Sequence, residues 1–300
     1  MIEAGLLMAP NVSICIPTYN RKHFLKETLD SVFAQTYKDF EVVIVDDGST
    51  DGTKEMLQKC GYNVRYYWQK NQGESAARNK LVELSNGKYL TFIDSDDLLF
   101  PYAVEELVEA IEKYGPDTVA YSSYVGIDEK GTEVKRKQRK LPSGNIVADL
   151  FEYIYVHSCG TMCTKELFQE VGGFDVLLPV CSPYIVWLKL SLGHRFIAVE
   201  KPTFKRRRHS SNLSERSFAN CKIELEVLEN FYYNDGGKNV IPYKLAMKRL
   251  SKEQYRAARI AIRESMPETA CDFLKGSLKR HFRLKTLFWL IIAKLKSWKF

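Results

Sequence analysis

The residues EVVIVDDGSTDGT (41–53) contain a strand, the loop that ends it and the beginning of a helix. Glu41–Asp46 is an almost continuous run of Val and Ile, which is typical of a strand buried within a sheet. The run stops abruptly at DGST (47–50), residue types that favour turns and helix starts. A helical pattern follows from about Thr53 to Cys60. This strand, loop and helix form the building block of α/β proteins with a parallel sheet.

The same alternation extends over the first hundred residues. The predicted strands are Val12–Pro17, Glu41–Asp46, Val64–Tyr67 and Tyr89–Ile93, and the predicted helices are Phe24–Gln35, Thr53–Cys60 and Glu74–Leu84. Strands and helices that alternate along the chain favour a parallel sheet with helices on its faces. We therefore expect an α/β fold with a mostly parallel sheet.

The pattern changes along the rest of the chain. Shorter strands are predicted within 118–134, at 160–164 and at 195–199, and beyond Ser217 the sequence is helical almost to its end. The expected parts are an N-terminal extension over 1–10, an α/β domain over 11–215 and a basic helical C-terminal region over 216–300.

Polar residues collect in three loops that follow strands. These loops are PTYN (17–20), DDGSTDGT (46–53) and DSDD (94–97), and ligands of such sheets bind beyond the carboxyl ends of the strands. Helix caps and turns explain part of the composition, because Asp, Ser and Gly favour both. They do not explain the three carboxylates of DSDD, which repel one another unless a cation or another partner neutralises them. Hard oxygen ligands of this kind suit Mg²⁺ or Mn²⁺ bound to phosphate oxygens.

Charge is unevenly distributed over the 300 residues. The net charge is +7, but 15 Lys and Arg against 4 Asp and Glu lie between Val240 and Phe300. That segment alone carries +11, so the preceding 239 residues carry −4. We expect a strongly basic surface near the C-terminus. The hydrophobic fraction of 45% is ordinary for a globular protein.

Other features favour a cytoplasmic protein. Met1–Pro10 has no Lys or Arg and only a brief apolar run, unlike a signal peptide. No run of about 18 apolar residues occurs, so no membrane-spanning helix is expected. The seven cysteines show no C-x-x-C spacing, and we interpret them as reduced thiols.

Four motifs in order resemble those of the family 2 glycosyltransferases, which have the GT-A fold. They are PTYN (17–20), VDDGSTDGT (45–53), NQGESAARN (71–79) and FIDSDDLLFP (92–101). The resemblance continues through GGFD (172–175) and WLKL (187–190) to RHSSNLS (208–214), so that it covers residues 10–215. It implies a Rossmann-like donor-binding domain.

The resemblance also implies roles for the donor-binding residues. The loop residues Pro17, Thr18, Tyr19 and Asn20 would hold the nucleoside. Asp47 or, as the second choice, Asp46 would accept a hydrogen bond from the nucleobase.

Further matched positions would bind the diphosphate and the metal. Arg78 would lie near the phosphates, and the DSD residues resemble the D-x-D motif, with Asp94 toward the ribose and Asp96 on Mn²⁺ or Mg²⁺. His209 and the arginines before it would close over the diphosphate, or would form a solvated basic segment. The implied activity is inverting transfer from a UDP-, GDP- or dTDP-sugar to a glycan, lipid or protein acceptor in cell-surface glycan synthesis.

One departure from the family concerns the catalytic base. The family usually has a Glu-Asp pair where this chain has Ser182-Pro183, and the Asp removes the acceptor proton. Serine and proline cannot do so near neutral pH, although general-base catalysis contributes about 10²–10⁴ in rate. Either Asp97 or Asp175 replaces the missing base, or the chain is a catalytically impaired relative that binds nucleotide sugars as a scaffold or accessory subunit.

The C-terminal segment 275–300 interleaves basic and apolar residues, with an uninterrupted apolar run at 287–293. Such a segment can lie at an anionic membrane surface, which would bring the protein to the inner face of the membrane. Alternatively it forms a final helix that packs its apolar face on the protein. No motif supports binding of nucleic acid.

Overall fold

The computed structural model describes residues 9–134, 140–209 and 217–297. Its contacts divide the chain into two compact units. The described residues of the first unit are those up to Asn145, 155–186 and 193–209, and those of the second unit are 146–154, 187–192 and 217–297. The expected boundaries at residue 10 and near residue 215 stay predictions, and the second lies outside the described residues.

The strands of the described residues are β1 (Val12–Thr18), β2 (Phe40–Asp46), β3 (Arg65–Trp68), β4 (Tyr89–Phe92), β5 (Leu98–Leu99), β6 (Thr118–Tyr121), β7 (Tyr124–Ile127), β8 (Glu133–Val134), β9 (Thr161–Thr164), β10 (Arg195–Ala198) and β11 (Phe204–Arg207). The helices are α1 (Lys22–Phe33), α2 (Thr53–Lys59), α3 (Glu74–Leu84), α4 (Ala103–Tyr114), α5 (Val147–Glu152), α6 (Lys165–Glu170), α7 (Ser182–Gly193), α8 (Phe218–Tyr233), α9 (Gly237–Val240), α10 (Tyr243–Arg263), α11 (Pro267–Arg280) and α12 (Leu284–Ser297).

Seven strands form the central sheet, in the order β10-β6-β9-β4-β1-β2-β3. The pairs β1–β2, β2–β3, β1–β4 and β6–β10 are parallel, whereas β9 runs antiparallel to both β4 and β6. The expected α/β fold with a mostly parallel sheet is therefore confirmed. Thr18 pairs with Asp46 across β1 and β2, so the loops after these strands leave the sheet side by side.

A second, smaller sheet has the order β5-β11-β7-β8. One of its two inner strands, β11, contains three consecutive basic residues, Lys205–Arg207. A run of like charges gives no strand signal, because its pattern is that of a solvated segment. Here β11 pairs in parallel with β7 and antiparallel with β5, and β5 lies directly after the DSDD loop.

The core of the first unit consists of buried apolar side chains from the central strands and from the helices that cover them. Val12, Ile14 and Ile16 of β1 are fully buried, and so is Ile44 of β2. They pack in one cluster with apolar residues of α1 and α4. Burial of these strands on both faces explains their continuous apolar sequence.

The second unit is helical, and α12 packs against α10 and α11. Leu290 and Ala293 of α12 join the buried cluster of this unit. The opposite side, called the α12 apolar face below, consists of Leu284, Leu287, Phe288, Ile291 and Leu295, which are 38–76% exposed. No helix among the described residues is long and apolar enough to cross a bilayer.

Candidate active site

The loops after β1 and β2 are joined by side-chain hydrogen bonds. The Asn20 backbone N–H donates to Ser49 Oγ, and Asn20 Oδ1 accepts from the Thr50 N–H, both at 2.8 Å. Asn20 has a φ of 51°, a left-handed conformation that asparagine tolerates better than most residues. The predicted nucleoside-binding segment and the DDGST segment therefore form one connected surface.

Two side chains of the PTYN loop, those of Thr18 and Tyr19, present groups that a ligand can contact. Thr18 is 3% exposed, and its hydroxyl has no hydrogen-bond partner among the described residues. A buried polar group without a partner is uncommon in folded proteins. Tyr19 is 49% exposed. This loop thus presents an orphaned hydroxyl and an accessible aromatic ring.

Asp47 is a buried carboxylate that organises the next loop. Its Oδ1 accepts from Gln69 Nε2 at 2.7 Å and from the Gln72 N–H at 2.9 Å, and its Oδ2 accepts from the Gly73 N–H at 2.8 Å. An ionised carboxylate accepts about four hydrogen bonds. One acceptor position, on Oδ2, is therefore left for a ligand.

Asp46 is also buried and also serves the loop. Its Oδ1 accepts from the Ser49 N–H at 2.8 Å, and its Oδ2 accepts from the Tyr66 hydroxyl at 2.9 Å. Burial, followed by the hydrogen bond to Asp46 and the negative charge of that carboxylate, raises the pKa of Tyr66 above its usual value. Tyr66 thus stays protonated and keeps donating to Asp46.

Arg78 of α3 lies at the centre of the charged groups. Its side chain is 3% exposed and forms ion pairs of 2.6 Å with Asp94 and with Glu74. Although burial disfavours the charged form, these two carboxylates raise the pKa of Arg78. Its Nε is buried without a hydrogen-bond partner, and its guanidinium lies 5.5 Å from the centre of the Phe174 ring.

Asp94, Asp97 and Cys159 form a compact cluster, with one potential ligand atom from each within 4.8 Å of the others. Burial, and then the charges of Asp94 and Asp96, raise the pKa of Asp97 well above its ordinary range. Burial also raises the pKa of the Cys159 thiol, and its Sγ accepts the Asp94 N–H at 3.1 Å. A protonated thiol is a poor ligand for Mg²⁺ or Mn²⁺, so the carboxylate oxygens are the donors that fit such a cation.

Asp96 is turned toward His209. Its Oδ2 lies 2.8 Å from His209 Nε2 and 3.8 Å from Arg21 Nε. The His209 ring is 1% exposed and packs 5.0 Å from the ring of Phe24. No described residue bonds to Asp96 Oδ1. A carboxylate held through one oxygen by a histidine keeps the other available for a cation.

Arg207 holds the acidic loop 94–97 by hydrogen bonds, and its side chain is 1% exposed. Its Nε donates to the Asp96 carbonyl and its backbone N–H to Asp97 Oδ1, both at 2.9 Å. The remaining guanidinium nitrogens donate to the Glu129 carbonyl and to the Glu27 carboxylate. The expectation that the arginines before His209 close over the diphosphate therefore does not hold for this one, because its donors already bind protein groups.

The two predicted substitutes for the catalytic base lie in different surroundings. Asp97 is 3% exposed, whereas Asp175 is exposed and accepts the Leu177 N–H at 2.9 Å. The preceding residue, Phe174, exchanges two hydrogen bonds with Asn79, which follows Arg78 in α3. Asp175 therefore directly follows Phe174, the residue whose ring contacts the Arg78 guanidinium.

Helix α7 begins at Ser182, so Ser182 lies inside the helix rather than at its N-cap. Its hydroxyl is buried and has no partner among the described residues. Ser182-Pro183 at a helix start has the sequence pattern of an N-cap and first-turn pair, but the Ser182 hydroxyl caps no backbone N–H of the described residues. Neither Ser182 nor Pro183 supplies a group that can take a proton.

Some residues of the site were not identified from the sequence. Glu74 was readable, since it stands four residues before Arg78 on one helix face. Cys159 and Arg21 gave no signal, because their contacts with the DSDD loop join distant parts of the chain.

Comparisons with known proteins agree with one another. The family model described as glycosyl transferase family 2 matches residues 13–172. An uncharacterised glycosyltransferase of Rickettsia conorii is 31% identical over 231 residues, which are 75% of this chain and 38% of that protein. The chondroitin synthase of Escherichia coli is 33% identical over 222 residues, which are 71% of this chain and 31% of that protein. The chain thus matches well under half of the length of each relative.

Solved structures extend the agreement to the fold. The structure of S. aureus TarS 1–349 in complex with UDP-GlcNAc aligns with a TM-score of 0.69 at 17% identity, covering 95% of this chain and 88% of that one. This likeness confirms the expected GT-A fold. Because the family match covers more than half of the 300 residues, the chain belongs to glycosyl transferase family 2.

Proposed function

We propose that the chain is an inverting glycosyltransferase that moves a sugar from a nucleoside-diphosphate donor to a hydroxyl of a glycan, lipid or protein acceptor in cell-surface glycan synthesis. One observation carries the proposal: buried Arg78 is ion-paired with Asp94, beside two further carboxylates after β4. The leaving nucleoside diphosphate carries about two negative charges, and preorganised charges and dipoles stabilise its departure.

The donor would bind along the joined loops after β1 and β2. The orphaned Thr18 hydroxyl and the exposed Tyr19 ring support contacts from Pro17, Thr18, Tyr19 and Asn20 to the nucleoside. Asp47 would read the nucleobase through the acceptor position left on Oδ2. The TarS structure contains UDP-GlcNAc, so UDP-sugars are the first donors to test, followed by GDP- and dTDP-sugars.

Mn²⁺ or Mg²⁺ would be held by Asp94 and Asp96, next to Asp97. Two observations support a cation here: no described residue bonds to Asp96 Oδ1, and burial followed by the charges of Asp94 and Asp96 raises the pKa of Asp97. When bound, the cation neutralises charge on the diphosphate as the leaving group departs. His209 contacts the other oxygen of Asp96 and would orient it. Arg78 would stabilise the phosphates by exchanging its ion pair with Asp94 or Glu74 for one with a phosphate oxygen.

The acceptor proton would pass to Asp175 or to Asp97. Asp175 is the better placed of the two, because its exposed carboxylate can meet an acceptor, whereas Asp97 Oδ1 already accepts the Arg207 N–H. The raised pKa of Asp97 would suit proton exchange nearer neutral pH.

A second candidate function is a nucleotide-sugar-binding relative without transfer activity, acting as a scaffold or accessory subunit. The observation in its favour is Ser182-Pro183, which supplies no base at the start of α7. Such a protein would bind donor and metal as an active enzyme does. It would differ in showing no transfer to any acceptor.

The α12 apolar face supports a place at the cytoplasmic face of a membrane. Its five exposed side chains recur on one side of the helix, and Lys285, Lys294 and Lys296 lie on the same helix. Helices of this composition lie in the interface of anionic bilayers. The proposed partners are thus a nucleotide sugar, an acceptor and an anionic lipid surface.

The decisive experiment measures donor binding by the full-length chain. UDP-, GDP- and dTDP-sugars are titrated calorimetrically with Mn²⁺, with Mg²⁺ and with EDTA, and release of nucleoside diphosphate is followed in parallel. Asp96→Ala should weaken cation-dependent binding at least about tenfold. The matched control is Asp272→Ala, which removes an exposed carboxylate of α11 in the second unit and should leave binding unchanged.

Each result has a defined meaning. Undiminished nucleotide affinity in Asp96→Ala would contradict the metal assignment. Cation-dependent binding without hydrolysis or transfer would favour the accessory subunit. If no nucleotide binds under any condition, the proposed function fails as a whole.

A further inference from the structure

A basic cleft of about 490 Å³ opens in the second unit, between α10 and the beginning of α12. Its lining includes the five cations Lys252, Arg259, Arg263, Arg283 and Lys285, together with Tyr255. These five cations are called the cleft cations below. The volume is within the range of small-molecule sites, about 300–1,000 Å³.

The cleft cations are not neutralised by the protein. No carboxylate lies within ion-pair distance of any of them among the described residues. Arg256, which also lines the cleft, differs because Glu224 and Glu253 pair with it. Glu264, the acidic residue of the lining, accepts the Phe218 N–H instead. Among the described residues, five cations therefore face a cavity whose lining holds one unpaired carboxylate, that of Glu264.

Three of the cleft cations lie against the ring of Tyr255. The Arg259 and Arg283 guanidinium carbons lie 5.9 and 5.5 Å from the centre of its ring, and Lys285 Nζ lies 5.2 Å away. Arg259 also stacks 3.6 Å from the Trp289 ring of α12. These contacts orient Arg259, Arg283 and Lys285, so an entering anion finds three oriented donors.

In two of these cations, the surroundings disfavour the charged form of the side chain. Burial lowers the pKa of Arg283, and its Nε is buried without a hydrogen-bond partner. Burial, followed by the charges of Arg249 and Arg256, lowers the pKa of Lys252. An anion in the cleft would relieve both, because it supplies an acceptor and a negative charge.

We propose that this cleft binds a phosphate or diphosphate group, with Arg259, Arg263 and Arg283 as hydrogen-bond donors and with Lys252 and Lys285 completing the charge. Guanidinium groups bind two phosphate oxygens at once, which suits a phosphate monoester or diphosphate better than a single carboxylate. The group belongs to a soluble phosphate compound or to a lipid headgroup. The site does not depend on sugar transfer in the first unit.

The probe is inorganic pyrophosphate, titrated calorimetrically into the full-length chain at low salt with EDTA. The double variant Arg263→Gln with Lys285→Gln should weaken binding at least about tenfold. Its matched control, Lys275→Gln with Lys279→Gln, removes the same charge from α11 outside the cleft and should bind as the natural chain does. Lys252→Gln, an exposed single substitution, repeats the test if the double variant unfolds.

Several outcomes would overturn the proposal. They are absence of saturable binding, equal weakening in the cleft and control variants, and binding that is lost in Asp96→Ala but kept in the cleft variant. The last result would assign pyrophosphate to the donor site. Binding that survives in Asp96→Ala supports the cleft.

Vesicles identify the source of the phosphate. If vesicles containing phosphatidic acid bind the chain and pyrophosphate displaces them, the ligand is a lipid headgroup. If pyrophosphate binds and such vesicles do not compete, the ligand is a soluble phosphate compound. Vesicles of phosphatidylcholine alone serve as the control surface.

Discussion

Arg207→Met tests whether the Arg207 side chain holds the acidic loop 94–97 in position. The natural side chain donates to the carbonyls of Asp96 and Glu129 and to the Glu27 carboxylate. Methionine fills much of the same space but donates nothing. Each carbonyl that loses its partner costs about 1–3 kcal/mol, with the lower half of the range appropriate to partly buried groups. The Glu27 pair adds about 0–1 kcal/mol, because this carboxylate is 54% exposed.

The expected loss is therefore about 2–5 kcal/mol in the free energy of unfolding of the first unit. Arg206→Met is the matched control, since Arg206 lies on the same strand and its guanidinium packs 5.7 Å from the Tyr124 ring. It should cost about 1 kcal/mol or less. Urea unfolding of the full-length chain gives both values.

Hydrogen exchange supplies the local measurement. Amides of residues 92–101 should exchange faster in Arg207→Met and not in Arg206→Met, and cation-dependent nucleotide binding should weaken only in the former. Equal destabilisation by the two substitutions, or unchanged exchange of the loop, would refute the idea that Arg207 positions the acidic loop.

Three further predictions concern the acceptor side and the membrane. If Asp175 is the base, Asp175→Asn should lower the rate of sugar transfer about 10²-fold or more while donor affinity stays constant. An unchanged rate would assign the role of base to Asp97. Pro183→Asp should raise transfer at least about tenfold over Pro183→Asn, if acceptor deprotonation is limiting, and equal rates would show that it is not. Phe288→Ser with Ile291→Ser should abolish sedimentation with anionic vesicles without lowering the melting temperature, because both side chains are more than half exposed; unchanged sedimentation would exclude the α12 apolar face.

Much of the first half of the fold could be predicted, because its strands are buried on both faces. The strands β1, β2 and β4 are apolar runs followed by polar loops, and the parallel order follows from the helices between them. The direction of β9 could not be read, since an apolar strand carries the same pattern in either orientation. Helix α4 was not among the predictions, although its buried Val104, Leu107, Val108 and Ile111 are spaced as a helix requires.

The site could be predicted as a set of loops but not as a network of contacts. The motifs placed Asp94, Asp96 and Asp97 together because they are adjacent in sequence. Asp96 pairs with His209, which lies 113 residues away in the sequence. This pairing depends on β11, which pairs with β5 and so brings His209 to the loop that precedes β5. The burial of Arg207 was equally hidden, because three consecutive basic residues resemble a solvated segment.

The exchange between Asn79 and Phe174 has a consequence for how the site holds its shape. The Asn79 side chain both donates to and accepts from the Phe174 backbone, at 2.8 and 2.9 Å, as one peptide group does to another in an antiparallel ladder. A single side chain thereby makes the pair of hydrogen bonds that a neighbouring strand would make, and it joins segments 95 residues apart. Aspartate lacks the donor, and any Cβ at Gly173 would meet Asn79 Oδ1 at 2.8 Å. The segments carrying Arg78 and Asp175 are thus fastened as one body, so a shift of α3 carries the candidate base with it.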